Sequence, residues 1–300
     1  MSGRALQIGI VGSALGDDLR LVPLKSRRLG FSGLLLDAPW PNESLWGLSA
    51  SGRRDLKHAL AVQDQHLIGL HIDTAGAGLA DEAMVDRVLA RLDRAMETAA
   101  GLGCRLLCAD IGLLPPAPPV LAPRPRIAPQ QAGSLILPQA APSPPAPPPE
   151  LSPADRAAWS RVDAAMRELG ERADRYGVTV AIRSELAAQA AVERALDGAD
   201  CPWFGIDLDP LSLLRDGWDL DEALSRLGPL VRHVRVRDAR LGHAYHVQLT
   251  AVGEGEVPWP ALLAGLDAGG YHGWYTVDPA GLPDRLSAAV AALKQLRAMQ

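Results

Sequence analysis

Several short stretches of this 300-residue chain set ionisable side chains just beyond apolar runs. Val178-Thr-Val-Ala-Ile-Arg183 ends in Arg183, with Glu185 two residues on. Ile206-Asp-Leu-Asp209 carries Asp207 and Asp209, and Tyr275-Thr-Val-Asp278 ends in Asp278. Val231-Arg-His-Val-Arg-Val-Arg-Asp238 carries His233, Arg235 and Arg237, and earlier apolar runs end near Asp37, His71 and Asp110. Paired carboxylates can move protons as general acid and base, imidazole can do so near neutral pH, and guanidinium groups hold anionic or polar oxygens. One charged residue at the end of a strand is ordinarily a loop cap or a solvated group. A set of them at corresponding ends of successive strands would converge on one place, where unpaired charge is costly to bury.

The elements that would bring them together are legible in the pattern. Apolar, β-branched or Leu-rich runs at 7–11, 31–36, 67–72, 105–109, 178–182, 204–208, 232–236 and 274–277 read as eight strands, mostly buried on both faces as in a parallel sheet. The pleat turns Val180, Ile182, Ile206, Leu208, Val234 and Val236 one way. It turns Arg183, Asp207, Asp209, His233, Arg235, Arg237 and Asp278 the other. Between strands lie helical patterns. Ser152 caps one with Pro153 at its first position, apolar residues recur from Trp159 to Tyr176, and Gly177 stops it. A second runs from 81 to 101 and a last one from 282 to 299. Eight strand–helix units predict an α/β chain folded as a single (β/α)8 TIM barrel, whose strand C-termini line the functional mouth.

Composition agrees with one soluble domain. Hydrophobic residues make up 48% and the net charge is −5, which excludes intrinsic disorder and a basic nucleic-acid footprint. Three cysteines cannot form a disulfide framework, so a reducing, cytoplasmic setting is expected. The spacing of Cys104 and Cys108, with no second pair nearby, argues against a zinc site. The first residues lack a sustained apolar signal region, and no run of 18 apolar residues follows, so neither secretion nor membrane insertion is expected. Fourteen of the 25 prolines fall within residues 113–150, a proline-rich insertion after the fourth strand. Without those 38 residues the remaining 262 match the ~250 typical of one barrel. The insertion reads as a lid anchored by Leu135-Ile-Leu, as a tether for a proline-recognising partner, or as a neutral expansion.

Three further stretches carry a resemblance: Val231-Arg-His-Val-Arg-Val-Arg-Asp238, Val252-Gly-Glu-Gly-Glu-Val-Pro-Trp259 and Gly269-Gly-Tyr-His-Gly-Trp-Tyr-Thr-Val-Asp278. With Gly30-Phe-Ser-Gly-Leu-Leu-Leu and Gly205-Ile-Asp-Leu-Asp209, the chain resembles the xylose isomerase-like TIM barrels. That group includes sugar-phosphate isomerases and epimerases and AP-endonuclease-2-like proteins. The resemblance implies a divalent metal held by Glu, Asp, His and Glu on strands five to eight, with the two Glu moving protons at the substrate carbon. Matched residue by residue, those positions are Arg183, Asp209, Arg235 and Asp278, and only Asp209 agrees.

Arginine has no lone pair to give a metal and stays protonated, so Arg183 and Arg235 cannot be ligands. Two Asp alone make a poor site. Asp278 is also one methylene shorter than Glu, which sets a base back by about 1.5 Å. The expectation is a remodelled centre with no metal and no cofactor, in which the two guanidinium groups bridge Asp209 and Asp278 by bidentate bonds. Chance acquisition of Arg, in a chain with 27 Arg and three Lys, is the rival explanation.

If the centre is catalytic, Asp209, Asp278 or Glu185 is the acid or base, while Arg183 and Arg235 hold the substrate and stabilise enolate charge. Substrate contacts are expected from His71, His233, Arg237 and Asp110. The backbone N–H groups of Gly253 and Gly255 are expected to meet a substrate oxygen or phosphate. The implied partner is a small polar or anionic metabolite, such as a sugar or sugar phosphate, with no nucleic acid and no membrane. A homo-oligomer is compatible with the sequence. Three functions stay open: a sugar isomerase or epimerase, a non-catalytic carbohydrate-binding relative, and a lyase or dehydratase on the same barrel. An AP-endonuclease is disfavoured by the negative charge and by the absence of a multi-metal His/Glu/Asp cluster.

Overall fold

The computed structural model describes residues 5–40, 45–74, 76–117, 150–242 and 246–300. Among them, eight parallel strands close a barrel: β1 (Gln7–Val11), β2 (Gly33–Asp37), β3 (His66–Ile72), β4 (Leu106–Asp110), β5 (Thr179–Arg183), β6 (Phe204–Leu208), β7 (Val231–Val236) and β10 (Trp274–Val277). β1 pairs with β2 on one side and β10 on the other, so no barrel edge is left unpaired. Each strand lies within two residues of its expected bounds.

The connecting helices are α1 (Val22–Leu29), α2 (Ala50–Val62), α3 (Val85–Leu102), α4 (Pro153–Tyr176), α5 (Gln189–Ala199), the short α6 (Leu211–Arg215) and α7 (Leu220–Leu227), α8 (Trp259–Ala268) and α9 (Arg285–Ala298). α4 begins as its sequence predicts: the Ser152 hydroxyl accepts from the Asp155 N–H at 3.0 Å, Pro153 opens the helix, and Gly177 ends it at φ 63°. α3 starts four residues later than expected. The Asp81 carboxylate takes the Ala83 N–H at 2.9 Å and shapes residues 81–84 as turns rather than helix.

One element was not anticipated. After β7 the chain forms an antiparallel hairpin, β8 (Asp238–Leu241) with β9 (Val247–Thr250), outside the barrel. Arg240 and Gln248 pair across it, and such short polar strands carry little apolar alternation to betray them.

The proline-rich segment leaves β4 at the mouth. Its first residues are fixed, because the Trp159 indole N–H of α4 donates to the Pro116 carbonyl at 2.9 Å. Residues 118–149, and with them the expectations of a lid, a tether or a Leu135-Ile-Leu anchor, lie outside the described residues.

Strand alternation builds two cores. Ile10, Leu34, Leu36, Leu107, Val180, Ile182, Ile206, Val234 and Val236 face the helices and join the large outer core. Val11, Leu35, Cys108 and Ala181 form a separate cluster inside the barrel. Below it the interior is crowded: a Cβ on Gly9 would lie 2.2 Å from Ile68 Cδ1, and one on Gly33 would lie 2.7 Å from the Trp274 ring. These two glycines leave room for the large side chains. Above the apolar cluster, the next inward residues are charged.

Candidate functional site

The inward residues at the strand ends meet as the pleat predicts, and each finds a specific partner. Asp207 of β6 is almost dry, at 2% exposure. Its Oδ1 lies 2.6 Å from His233 Nδ1, and its Oδ2 accepts from Arg235 Nε at 2.8 Å. The far nitrogen of His233 lies 2.7 Å from the Thr276 hydroxyl of β10. This relay is satisfied by an Nδ1–H donating to Asp207 and an Nε2 accepting from Thr276. Arg235 reaches on with Nη1 to Asp278 Oδ2 at 3.2 Å. Asp278 Oδ1 accepts the Ala280 N–H at 3.1 Å.

A second set of bonds surrounds Asp209. Its Oδ2 accepts from Arg183 Nη1 at 3.3 Å and Arg237 Nη1 at 2.9 Å, and its Oδ1 accepts the Leu211 N–H at 3.1 Å. Arg183 also gives Nη2 to Asp110 Oδ2 at 3.1 Å, while Asp110 Oδ1 accepts the Gly112 N–H at 2.8 Å. Glu185 stands at the rim, half-exposed, 3.3 Å from Arg183 and 3.6 Å from Arg215. Across the mouth, the ladder sets Asp37 of β2 opposite His71 of β3, and His71 Nδ1 lies 2.8 Å from Asp37 Oδ1.

The protonation equilibria follow from these contacts. Burial pushes the Asp207 carboxyl up, but Arg235 and His233 overcome it and hold the group well below the usual carboxylate range. Asp209 is likewise lowered, against its burial, by Arg237 and Arg183. Burial lowers the affinity of Arg235 for its proton, yet Asp207 and Asp278 reverse this and raise it well above the ordinary value. Asp110 moves the other way: its burial outweighs Arg183, and its carboxyl holds a proton more readily than usual. Burial and the nearby Arg235 charge lower His71, with Asp37 opposing. Asp37 itself is lowered despite burial, chiefly by its bond to His71.

Four expectations need correction. The guanidinium groups do not grip Asp209 and Asp278 in bidentate pairs; each bridges carboxylates of two strands by single bonds, Arg183 joining Asp110 to Asp209 and Arg235 joining Asp207 to Asp278. Arg237, expected as a substrate contact, gives its Nη1 to Asp209. His233 is fully buried with both nitrogens engaged, which leaves it no atom for a substrate. In the glycine loop the Gly253 N–H is taken by the protein itself: Asp238 Oδ2 accepts it at 2.8 Å, Asp238 Oδ1 accepts the N–H groups of Ala239 and Val257, and that carboxylate packs so close to Gly255 that a Cβ there would lie 2.0 Å from Oδ1. Thr276 and Arg215 were missed. A strand-centre Thr and an Arg beside its own Asp216 carry no distinguishing sequence signal.

A divalent metal does not fit the four positions the resemblance marks, because two are guanidinium groups whose charge would oppose it. Cys108, Asp207 and His233 also bring one ligand atom each within 4.8 Å of one another inside the barrel. There both imidazole nitrogens and both carboxylate oxygens have protein partners, and burial raises the Cys108 thiol well above its ordinary range. Among the described residues, the polar atoms of the strand ends that are buried without a partner include the donors Arg183 Nε, Arg235 Nη2 and Arg237 Nε, and also His71 Nε2.

Comparison with known proteins follows the same lines. The family model described as xylose isomerase-like TIM barrel matches residues 24–299. No curated protein matches the sequence. Among solved structures, the xylose isomerase domain protein from Planctomyces limnophilus is 17% identical, with TM-score 0.72 over 99% of this chain and 98% of that one. The 3-keto-D-glucoside 4-epimerase from E. coli is 16% identical, with TM-score 0.68 over 98% and 100%. The D-psicose 3-epimerase from Clostridium cellulolyticum H10, solved with D-tagatose, is 16% identical, with TM-score 0.67 over 98% and 99%. At these identities the likeness is one of fold.

Proposed function

The chain belongs to the xylose isomerase-like TIM barrel family, and from that premise we propose that it is a sugar isomerase- or epimerase-like protein whose Arg/Asp centre stands in for the metal. The ligand is a small polyhydroxy metabolite bound at the strand C-termini. The carrying observation is that Arg183 and Arg235, at two of the four positions where relatives of this type would place ligands, each bridge two carboxylates. Three guanidinium groups already face Asp110, Asp207, Asp209 and Asp278 and supply there the positive charge that a metal would bring. Arg183 and Arg237 keep unengaged Nε–H groups, Arg235 an unengaged Nη2, which support a role in holding substrate oxygens and an enolate. Glu185 and Asp278 remain the acid/base candidates of strands five and eight. Asp209, with three donors on its carboxylate and a lowered proton affinity, has the role of an anchor.

One observation favours a second reading, a binding relative without catalysis: Asp207, Asp209 and Asp278 each have both oxygens engaged. The deciding experiment pairs metal analysis of protein purified without chelator with solvent-deuterium exchange into a panel of aldoses and ketoses. Exchange that survives EDTA supports the proposal. Stoichiometric Mn, Mg, Co or Zn on which exchange depends would overturn the metal-free centre, and binding without exchange would select the second reading.

A further inference from the structure

A small cavity lies beside the mouth, where the ends of β7 and β10 meet the hairpin strand β9 and the helix α9. Its volume is about 10 Å³, room for one water molecule or one methyl group. The floor is apolar. Val236 and Val277 turn toward the helices, as the alternation of their strands requires. Ala288 and Ala292, one helical turn apart on α9, leave the space that longer side chains would fill. Leu249 closes one side, so near the β10–α9 loop that a Cβ on Gly281 would lie 2.6 Å from its Cδ1. The rim is polar and belongs to the mouth. Arg237 and Asp278 stand one residue beyond the two valines, and Thr250 stands opposite Asp238 in the hairpin. Asp278 has both oxygens engaged, by Arg235 and the Ala280 N–H, and Asp238 is closed by the N–H groups of Ala239, Gly253 and Val257. Two rim atoms remain: the Thr250 hydroxyl and Arg237 Nε are buried and have no partner among the described residues.

A group that matches this space has an apolar tip no larger than a methyl and an oxygen on the neighbouring carbon. The tip covers the apolar floor, and the oxygen accepts from Arg237 Nε and bonds to the Thr250 hydroxyl, two polar atoms that are costly to bury unbonded. On a sugar, that group is a terminal CHOH–CH3. We propose that the cavity is a methyl subsite of the mouth and that its ligand is a 6-deoxy sugar; this rests on the sugar-site reading above and names its substrate class. A hexose puts its C6 hydroxyl against valine and alanine side chains, where it loses the bonds it makes with water. A pentose stops short and leaves the floor uncovered. The narrowness that Ala288, Ala292 and Leu249 set is what makes the subsite selective for one carbon.

The test titrates the full chain calorimetrically with sugar pairs that differ only at C6: L-rhamnose with L-mannose, L-fucose with L-galactose, and 6-deoxy-D-glucose with D-glucose. In the pair whose configuration suits the mouth, the 6-deoxy member is expected to bind about tenfold or more tightly than its partner. Ala288→Val narrows the cavity and is expected to bring that ratio near one. Thr250→Val is expected to weaken the 6-deoxy sugar about tenfold, and Thr250→Ser to restore it. Saturation-transfer NMR needs no variant: the C6 methyl protons are expected to receive more saturation from the wild-type protein than the ring protons do. Pairs bound equally, or better with the C6 hydroxyl, overturn the subsite and leave the sugar site standing. A 6-deoxy preference that Ala288→Val does not reduce, or saturation that avoids the methyl, also overturns the subsite. Failure of every sugar in the panel to bind overturns both the inference and the reading beneath it.

Discussion

Arg235 and Asp207 sit on adjacent strands, 28 residues apart in sequence, with Nε 2.8 Å from Oδ2 and side chains 3% and 1% exposed. Such a pair owes its standing to its surroundings. Both charges are desolvated, and each is tolerated because the other, with His233 and Asp278, supplies charge-assisted bonds to it.

Removing one partner should therefore cost more than the pair adds. Arg235→Met is expected to lower unfolding stability by about 3–5 kcal/mol, read as a shift in the urea midpoint, because Asp207 is left buried beside His233 alone. Arg235→Lys is expected to recover only part of this, since one ammonium cannot span Asp207 and Asp278 as a planar fork does. A change below about 1 kcal/mol for Arg235→Met would mean that the mouth relaxes around the loss.

Metal affinity should depend on the same two arginines. Arg183→Glu combined with Arg235→His gives the mouth a carboxylate and an imidazole alongside Asp209 and Asp278. This double variant is expected to bind Mn or Co in titration calorimetry where the wild type gives no heat. Equal binding by both proteins would show that the guanidinium groups do not displace the ion.

Acid should destabilise the fold in two stages. His71 is lowered in the folded state, so below its ordinary 6.5 the unfolded chain takes a proton that the folded chain does not, and stability falls as pH falls. Asp37, Asp207 and Asp209 are lowered too, and their contribution, complete above 3.8, is lost as pH drops through their folded values. Asp110, raised by burial, works in the opposite sense and favours folding most at low pH. Around His71 the charged neighbours are Asp37, Arg235 and Arg183. Denaturant midpoints across pH 7 to 3 should show both limbs, and His71→Gln should flatten the first; an unchanged first limb would assign it elsewhere.

The glycine loop should behave as structure rather than as a phosphate cradle. Gly255→Ala would drive its Cβ into Asp238 Oδ1 and the Ala239 carbonyl, at 2.0 and 2.5 Å. It is expected to loosen the hairpin, seen as faster amide exchange at Gly253 and Val257, whose N–H groups Asp238 holds. Inorganic phosphate is expected to leave the wild-type melting temperature unchanged. A phosphate-induced rise that Gly255→Ala abolishes would return the loop to ligand binding.

Hydrophobic runs and their alternation were enough to place the eight barrel strands and to turn Arg183, Asp207, Asp209, Arg235 and Asp278 inward, because a strand repeats every two residues whatever surrounds it. The substitutions at the expected ligand positions were read from the resemblance and not from the alternation. Partner choice was not legible, since it depends on how neighbouring strands are staggered. A register shift beside Asp207 sets that residue opposite His233, and from there Arg235 can reach it as well as Asp278. The hairpin after β7, the occupied glycine loop and the contrast between a closed His233 and an open His71 arise from atoms far apart in sequence. Local pattern fixes which way a side chain points; only closure of the barrel decides what it meets there.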